Sequence, residues 1–381
     1  MYKNIQQPLK LLMVTDTSVK DDDGRYLALE PVQREVDSFS HLFSEITWIG
    51  YAWGKIKKDE YLSKIKSENV KIRIIKGVGG RSVTKKILSA FNGIMLVPIL
   101  ISEIKKHDVI HTRGPSIPAL IAVMLSFLYR KKIYWNKYAG NWKQENPPFS
   151  YALLKWLLIK ATFSKVTING RWPDQPAHCL SFENPCITDD ELVDGKKVTS
   201  DKDYSGRLNF CFIGRIYDAK GVGLILDMLN ETGENDKIGT VHFIGDGEQR
   251  ADYEKRAAML PFDIIFHGYL KRESVVSILK ECHVFILPSL GEGFPKVIAE
   301  SANYGCIPFV SDVSSIGQYI INGHNGWITK DLSPDNLSTI LKNEILENKD
   351  LRSIALNLRE MLNKYTFSYY VGRIKNEILT R

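Results

Sequence analysis

Phe210-Cys-Phe-Ile-Gly214-Arg215-Ile-Tyr-Asp-Ala-Lys220-Gly221 reads as a buried strand ending in Gly-Arg, followed five residues later by Lys-Gly at the start of a helical pattern. The same sequence of events, a short apolar run and then a longer stretch of helical period, recurs on both sides of it. Upstream, Leu9–Val14, Ile46–Ile49, Val70–Ile75, Asp108–His111 and Lys132–Trp135 read as strands; Leu208–Ile213, Thr240–Ile244, Asp263–Phe266, Val284–Leu287 and Ile307–Val310 form a second series. Strands that alternate with helices signal parallel sheets with crossover connections. The reading is therefore α/β, with two doubly wound domains of about five or six strands each, facing a central cleft in which ligands bind beyond the strand carboxyl ends. The polar stretch Thr188–Gly206 has almost no large apolar groups and suits an exposed linker; Pro334–Arg381 reads as helices only.

Chemistry is expected at those strand ends. Arg215 offers a planar fork and Lys220 a compact charge, which together suit a diphosphate, and Gly214 would let that group approach the backbone. A solvated Arg and Lys flanking a turn is the competing reading. Leu287-Pro-Ser-Leu-Gly-Glu292-Gly293-Phe294-Pro295-Lys296-Val-Ile-Ala-Glu300 is again strand, glycine-bearing loop and helix. Proline suits the first helical position, and free N–H groups there can hold an oxyanion. Glu292 and Glu300 would reach different parts of one extended ligand, each accepting hydrogen bonds from vicinal hydroxyls.

Together these residues resemble the retaining, Leloir-type glycosyltransferases of family 4, with the GT-B fold. The likeness rests on Glu292-x7-Glu300 with Gly293-Phe294 after its first Glu, and on Gly214-Arg215 followed by Lys220-Gly221. It extends over Leu208–Trp327 through Phe243-Ile-Gly245-Asp-Gly247, His267-Gly268-Tyr269-Leu270 and Gly323-His-Asn-Gly326-Trp327. The resemblance implies that Glu300 binds ribose hydroxyls and Glu292 the donor hexose, that Phe294, Pro295 and Lys296 meet sugar and phosphates through the backbone, and that Tyr269 lies against the base. It implies an acceptor-side domain at 1–187, a linker at 188–206, a nucleotide-sugar domain at 207–365, and a terminal helix near 366–381 able to pack back on the first domain.

The amino-terminal half matches less tightly. The turn Asp21-Asp22-Asp23-Gly24 carries one glycine where family members have several, and Tyr134–Trp142 lacks the family's sugar-contacting histidine. Lys137 and Asn141 are candidates to replace it, with His111 and Arg113 at the previous strand end. The implied reaction moves a hexose from a nucleotide-diphosphate sugar to a glycan or lipid-linked hydroxyl with retention, in cell-surface polysaccharide or lipopolysaccharide synthesis. The leaving phosphate takes the acceptor proton on the same face, and no metal or other cofactor is expected. Asp21–Asp23 or Asp201-Lys-Asp203 would supply the competing metal set. An epimerase or phosphorylase on the same fold, or an idle protein binding anionic membranes or glycans, are the alternatives. Gly77-Val-Gly-Gly80 is not GxGxxG, which disfavours a dinucleotide enzyme.

Composition bounds these readings. The 381 residues carry a formal charge of +7, yet Tyr51–Arg171 holds 23 Lys/Arg against 6 Asp/Glu. That excess, with clusters at Lys55, Lys57, Lys58, at Lys85, Lys86 and at Arg130, Lys131, Lys132, suits anionic lipid or an anionic acceptor; a nucleic-acid partner is not expected. Five cysteines without CxxC spacing suggest a reducing compartment, and the first apolar run is too short for a signal peptide. The expected location is cytoplasmic, peripheral on the inner face of the membrane.

Overall fold

The computed structural model describes residues 9–52, 62–75, 83–293 and 296–380. Two compact units emerge: Met1–Glu183 together with Tyr370–Arg381, and Asn184–Tyr369.

The first unit is built from β1 (Lys10–Asp22), β2 (Arg25–Leu29), α1 (Glu30–Phe39), β3 (Glu45–Ala52), β4 (Leu62–Lys64), β5 (Val70–Ile75), α2 (Val83–Lys106), β6 (Val109–Gly114), α3 (Ile117–Ser126), β7 (Ile133–Tyr138), α4 (Phe149–Lys160), β8 (Lys165–Ile168) and β9 (Cys179–Ser181). Parallel pairing runs β5-β3-β1-β6-β7-β8-β9, so Leu11, Leu12, Met13 and Val14 of central β1 are wholly buried. A parallel strand covered on both faces has to be apolar throughout, which is why this run lacks alternation. Leu11 and Met13 pack with Val36 and Phe39 of α1, whereas Leu12 and Val14 pack with α2 and α3.

Two expectations are corrected in this unit. Among the described residues the sheet has nine strands, because β2 adds antiparallel to the far half of β1, β4 adds antiparallel to β2, and the short β8 and β9 extend the other edge. Beyond an irregularity after Val14, β1 continues to Asp22, so the Asp23-Gly24 turn caps a hairpin rather than ending the first parallel strand. Neither feature has a long apolar run to announce it.

The second unit contains α5 (Asp189–Asp201), β10 (Leu208–Ile213), α6 (Val222–Thr232), β11 (Ile238–Ile244), α7 (Arg250–Ala257), β12 (Ile264–Gly268), α8 (Arg272–Glu281), β13 (Val284–Leu287), α9 (Lys296–Asn303), β14 (Ile307–Ser311), β15 (Trp327–Thr329), α10 (Pro334–Ile340), α11 (Leu351–Leu362) and the start of α12 (Phe367–Arg373), whose residues from Tyr370 on belong to the first unit. Its sheet is all parallel in the order β12-β11-β10-β13-β14-β15. The expected linker at 188–206 is replaced by α5. Thr188 accepts from the Glu191 N–H while Glu191 accepts from the Thr188 N–H, a reciprocal capping box. Gly195 and Thr199 are buried against Asn303, so this polar stretch is a packed helix; its burial rests on small residues, which a search for large apolar groups passes over.

Buried His111 and half-buried His283 should make the fold acid-sensitive. His111 is held down to about 3 by burial and by Arg113, and His283 to about 4 by burial and Lys202. Both bind a proton more readily in the unfolded chain, near pH 6.5, so their stabilisation is present above that pH and lost as pH falls toward the folded values. The denaturation midpoint in urea should therefore drop between pH 7 and pH 5; an unchanged midpoint would contradict imidazoles held neutral in the fold.

Candidate functional site

In the second sheet, chain order reverses between β10 and β13, which are neighbours although their following connections diverge. Ligands on doubly wound sheets bind at this switch point, outside the strand carboxyl ends. The two sequence motifs are the segments that follow these two strands. Leu290 N–H donates to the Ala219 carbonyl at 3.0 Å, and Ser289 Oγ donates to the same oxygen at 3.1 Å, knitting the loops together. Their side chains then meet: Lys220 Nζ forms an ion pair with Glu292 Oε1. Arg215 is exposed, stacks over the Tyr217 ring at 5.1 Å, and has no acidic partner among the described residues.

Close backbone approach shapes this edge. Gly221 stands at φ +79, and a Cβ there would lie 2.3 Å from the Pro288 carbonyl oxygen. A Cβ on Gly245 would lie 1.9 Å from the Gly214 oxygen. Only glycine fits either position, so Gly245-Asp-Gly247 is a packing requirement of the strand ends. The Gly245 N–H donates to the Gly268 carbonyl at 2.8 Å, which places half-buried Tyr269 beside the same edge. Gly293 lies in the β13 loop, its carbonyl 3.5 Å from Ser315 Oγ, and Lys296 opens α9. Phe294 and Pro295 lie outside the described residues.

Glu300, on α9, is not a free surface carboxylate. Its Oε1 accepts from Arg272 Nη1 at 2.8 Å, while Arg272 Nε donates to Glu191 Oε1 at 2.7 Å and Nη2 to the Cys186 carbonyl at 3.1 Å. Burial opposes the guanidinium charge, but Glu300 and Glu191 outweigh it and raise its pKa. A cation on the first residue of α8 is unfavourable toward that helix's own dipole, so these two carboxylates hold it there. Nothing in the local sequence marks Arg272.

In the first unit the candidate residues fall into a different pattern. Arg113 Nη1 lies 2.5 Å and Lys137 Nζ 2.7 Å from Glu35 Oε1, which also accepts from Tyr370 Oη at 2.8 Å. Glu35 is wholly buried and Lys137 only 6% exposed, so these cations sit at the ends of β6 and β7 in a buried network anchored on α1 and α12. Glu35 escaped the sequence reading, although a charge among Val36 and Phe39 on the buried face of α1 was the available signal. His111 is fully buried, stacked on Trp135 at 3.8 Å with Nδ1 3.0 Å from the Trp135 carbonyl. The Asn141 side chain accepts from the Lys143 N–H, shaping its own loop, and the Gly24 N–H donates to Asp21 in the hairpin turn. Asp203 likewise accepts from Ser205; among the described residues no three His, Cys, Asp or Glu side chains gather as a metal site.

Glu35→Gln should leave Arg113 and Lys137 without their shared counter-charge and destabilise the fold by about 3–5 kcal/mol, read from urea unfolding. A change under about 1 kcal/mol would show that the cations do not depend on it.

Residues 198–368 match the family described as Glycosyl transferases group 1. An uncharacterized glycosyltransferase of Methanocaldococcus jannaschii is 26% identical over 176 residues, covering 45% of this chain and 48% of that one. The UDP-Gal:alpha-D-GlcNAc-diphosphoundecaprenol alpha-1,3-galactosyltransferase of Escherichia coli is 27% identical over 173 residues, 44% of each chain. The matched stretches thus span about half the length of these curated relatives. The solved glycosyltransferase of Rickettsia africae aligns over 98% of this chain and all of its own with a TM-score of 0.67 and 16% identity. Anabaena HepE in complex with UDP aligns over 96% of this chain and 98% of its own at 0.68 and 14%. The fold is that of GT-B glycosyltransferases, with two Rossmann-like units.

Proposed function

We propose that the chain is a retaining glycosyltransferase that moves a hexose from a nucleotide-diphosphate sugar to a hydroxyl of a glycan or lipid-linked acceptor, in the synthesis of cell-surface polysaccharide. The observation that carries this reading is the Lys220–Glu292 pair at the β10/β13 switch point, beside exposed Arg215. A diphosphate sugar presents adjacent anionic and hydroxyl groups, and so can take each member of that pair: phosphate oxygens on Lys220 and Arg215, sugar hydroxyls on Glu292. The E. coli relative's named donor and lipid-diphosphate acceptor support the substrate classes.

In the reaction the acceptor oxygen bonds to the anomeric carbon on the face from which the diphosphate departs. The carbon–oxygen bond electrons go to the diphosphate, and the acceptor proton passes to its departing oxygen. Arg215 and Lys220 stabilise the charge developing there, without requiring a protein base. Arg215→Ala and Lys220→Ala should each lower turnover by roughly 10²-fold, measured as release of nucleoside diphosphate from the donor. Near-unchanged rates in both would overturn the diphosphate assignment, and turnover with donor alone or only with orthophosphate would reassign the reaction.

Arg272 is a positioning residue for Glu300, whose second oxygen would meet the ribose hydroxyls. Arg272→Met should weaken binding of a nucleoside diphosphate by about tenfold, with little recovery in Arg272→Lys because the guanidinium fork is lost. The difference should vanish with the 2′,3′-dideoxy nucleotide, measured by calorimetry. Equal losses for both ligands would mean that Arg272 merely supports the fold.

A further inference from the structure

The outer side of α2, α3 and α4 carries a feature that glycosyl transfer does not use. These helices form one layer: Leu96 and Leu100 of α2 share a core with Ala122 and Leu125 of α3, and Val123 packs with Leu154 and Leu158 of α4. A Cβ on Gly93 would meet Ile121 and Ile117, so α2 and α3 lie in direct contact. Having buried one face, a surface helix normally shows a polar one to water. Here it does not. Ile117–Tyr129 contains no charged residue, and Met124 and Leu128 are 53% and 75% exposed. On α4, Phe149, Ala152, Trp156 and Lys160 fall on one stripe of the helix, with Phe149 83% and Trp156 55% exposed. Ile94 and Met95 continue the surface on α2.

Charge identifies the occupant. At the carboxyl ends of the three helices stand exposed Lys105 and Lys106, Arg130 and Lys131, and Lys160. From Val83 to Pro173 the sequence has fourteen Lys/Arg and three carboxylates, Glu103, Asp108 and Glu145, of which Glu103 pairs with Lys106. An apolar face with a basic border and scarcely any acidic groups complements an interface of acyl chains below anionic headgroups. We propose that this α2–α4 face docks on an anionic lipid bilayer, with Met124, Leu128, Phe149 and Trp156 entering the interface and Lys131 and Lys160 at the headgroups. Among the described residues no helix is long and apolar enough to cross a membrane, so the contact is interfacial. The surface differs from the sequence clusters at Lys55–Lys58 and Lys85–Lys86, which lie where no side chains are described. It goes beyond the glycosyl-transfer reading and does not rest on it.

The test is sedimentation of the full chain with vesicles of equal parts phosphatidylglycerol and phosphatidylcholine, and with phosphatidylcholine alone, in the absence of any sugar donor. Binding should favour the anionic vesicles and weaken as salt rises. Phe149→Ser combined with Trp156→Ser should weaken it by roughly tenfold or more, as should Lys131→Glu combined with Lys160→Glu. Because all four side chains point to solvent, unchanged unfolding midpoints are expected. No binding of the unaltered chain, or equal binding by both variants, would overturn the proposal. So would a concentration-dependent dimer that Phe149→Ser with Trp156→Ser converts to monomer, which would give the face to a second copy. Nucleoside-diphosphate binding by these variants, measured separately, reports on the donor site whatever the vesicles show.

Discussion

The second unit depends on a constraint of sheet topology: β10 and β13 are adjacent, but the chain leaves them for opposite flanks. A crevice must open where those connections part, and whatever follows the two strands must line it. The motif after β10 brings two cations there; the motif after β13 brings a carboxylate. Backbone packs closely at these strand ends: a Cβ on Gly221 would run into the Pro288 carbonyl and one on Gly245 into the Gly214 carbonyl. The loops after β10 and β13 are hydrogen-bonded to each other through Ala219, and Lys220 meets Glu292 across them.

The first unit repeats the topology with a different use of charge. Its reversal falls between β1 and β6, and Arg113 and Lys137 lie at the ends of β6 and β7. There the cations are not exposed. Three donors converge on the one buried carboxylate oxygen of Glu35, including Tyr370 from the far end of the chain. Such a network is costly to assemble and more costly to break by one member, so it specifies how α1 and the terminal segment seat on the sheet. Lys137 and Arg113 are thus placed first by structure, and any contact with sugar or acceptor would have to draw on a network already formed.

How legible this was follows the physics of each signal. Strands buried on both faces must be apolar, so the run at Leu11–Val14 and the β10 and β13 runs were readable, as was the pairing of motifs with strand ends. The nine-stranded edge was not, because three- and four-residue strands such as β4, β8 and β9 bury too little to leave a pattern. Helix α5 hid behind a polar composition; its capping box, Thr188 with Glu191, was the better signal. Arg272 and Glu35 were invisible for another reason. Their roles arise from partners 28 and 78 residues away, Glu300 and Arg113, and no local motif encodes such a distance.

The two motif carboxylates differ in a way that bears on how a charged ligand could enter. Glu300 shares Arg272 with Glu191, so the guanidinium already faces two carboxylates and gains nothing from releasing either. Among the described residues Glu292 has one ion-pair partner, Lys220, whose single charge it does not share with another carboxylate. A diphosphate arriving beside exposed Arg215 would offer Lys220 more negative charge than Glu292 does, freeing the carboxylate for hydroxyls. The Glu300 contact would stay fixed while the Glu292 contact is exchanged. One end of the ligand would thus meet a rigid acceptor and the reacting end a pair that separates as it binds, which would keep Lys220 neutralised until the anion that needs it is present.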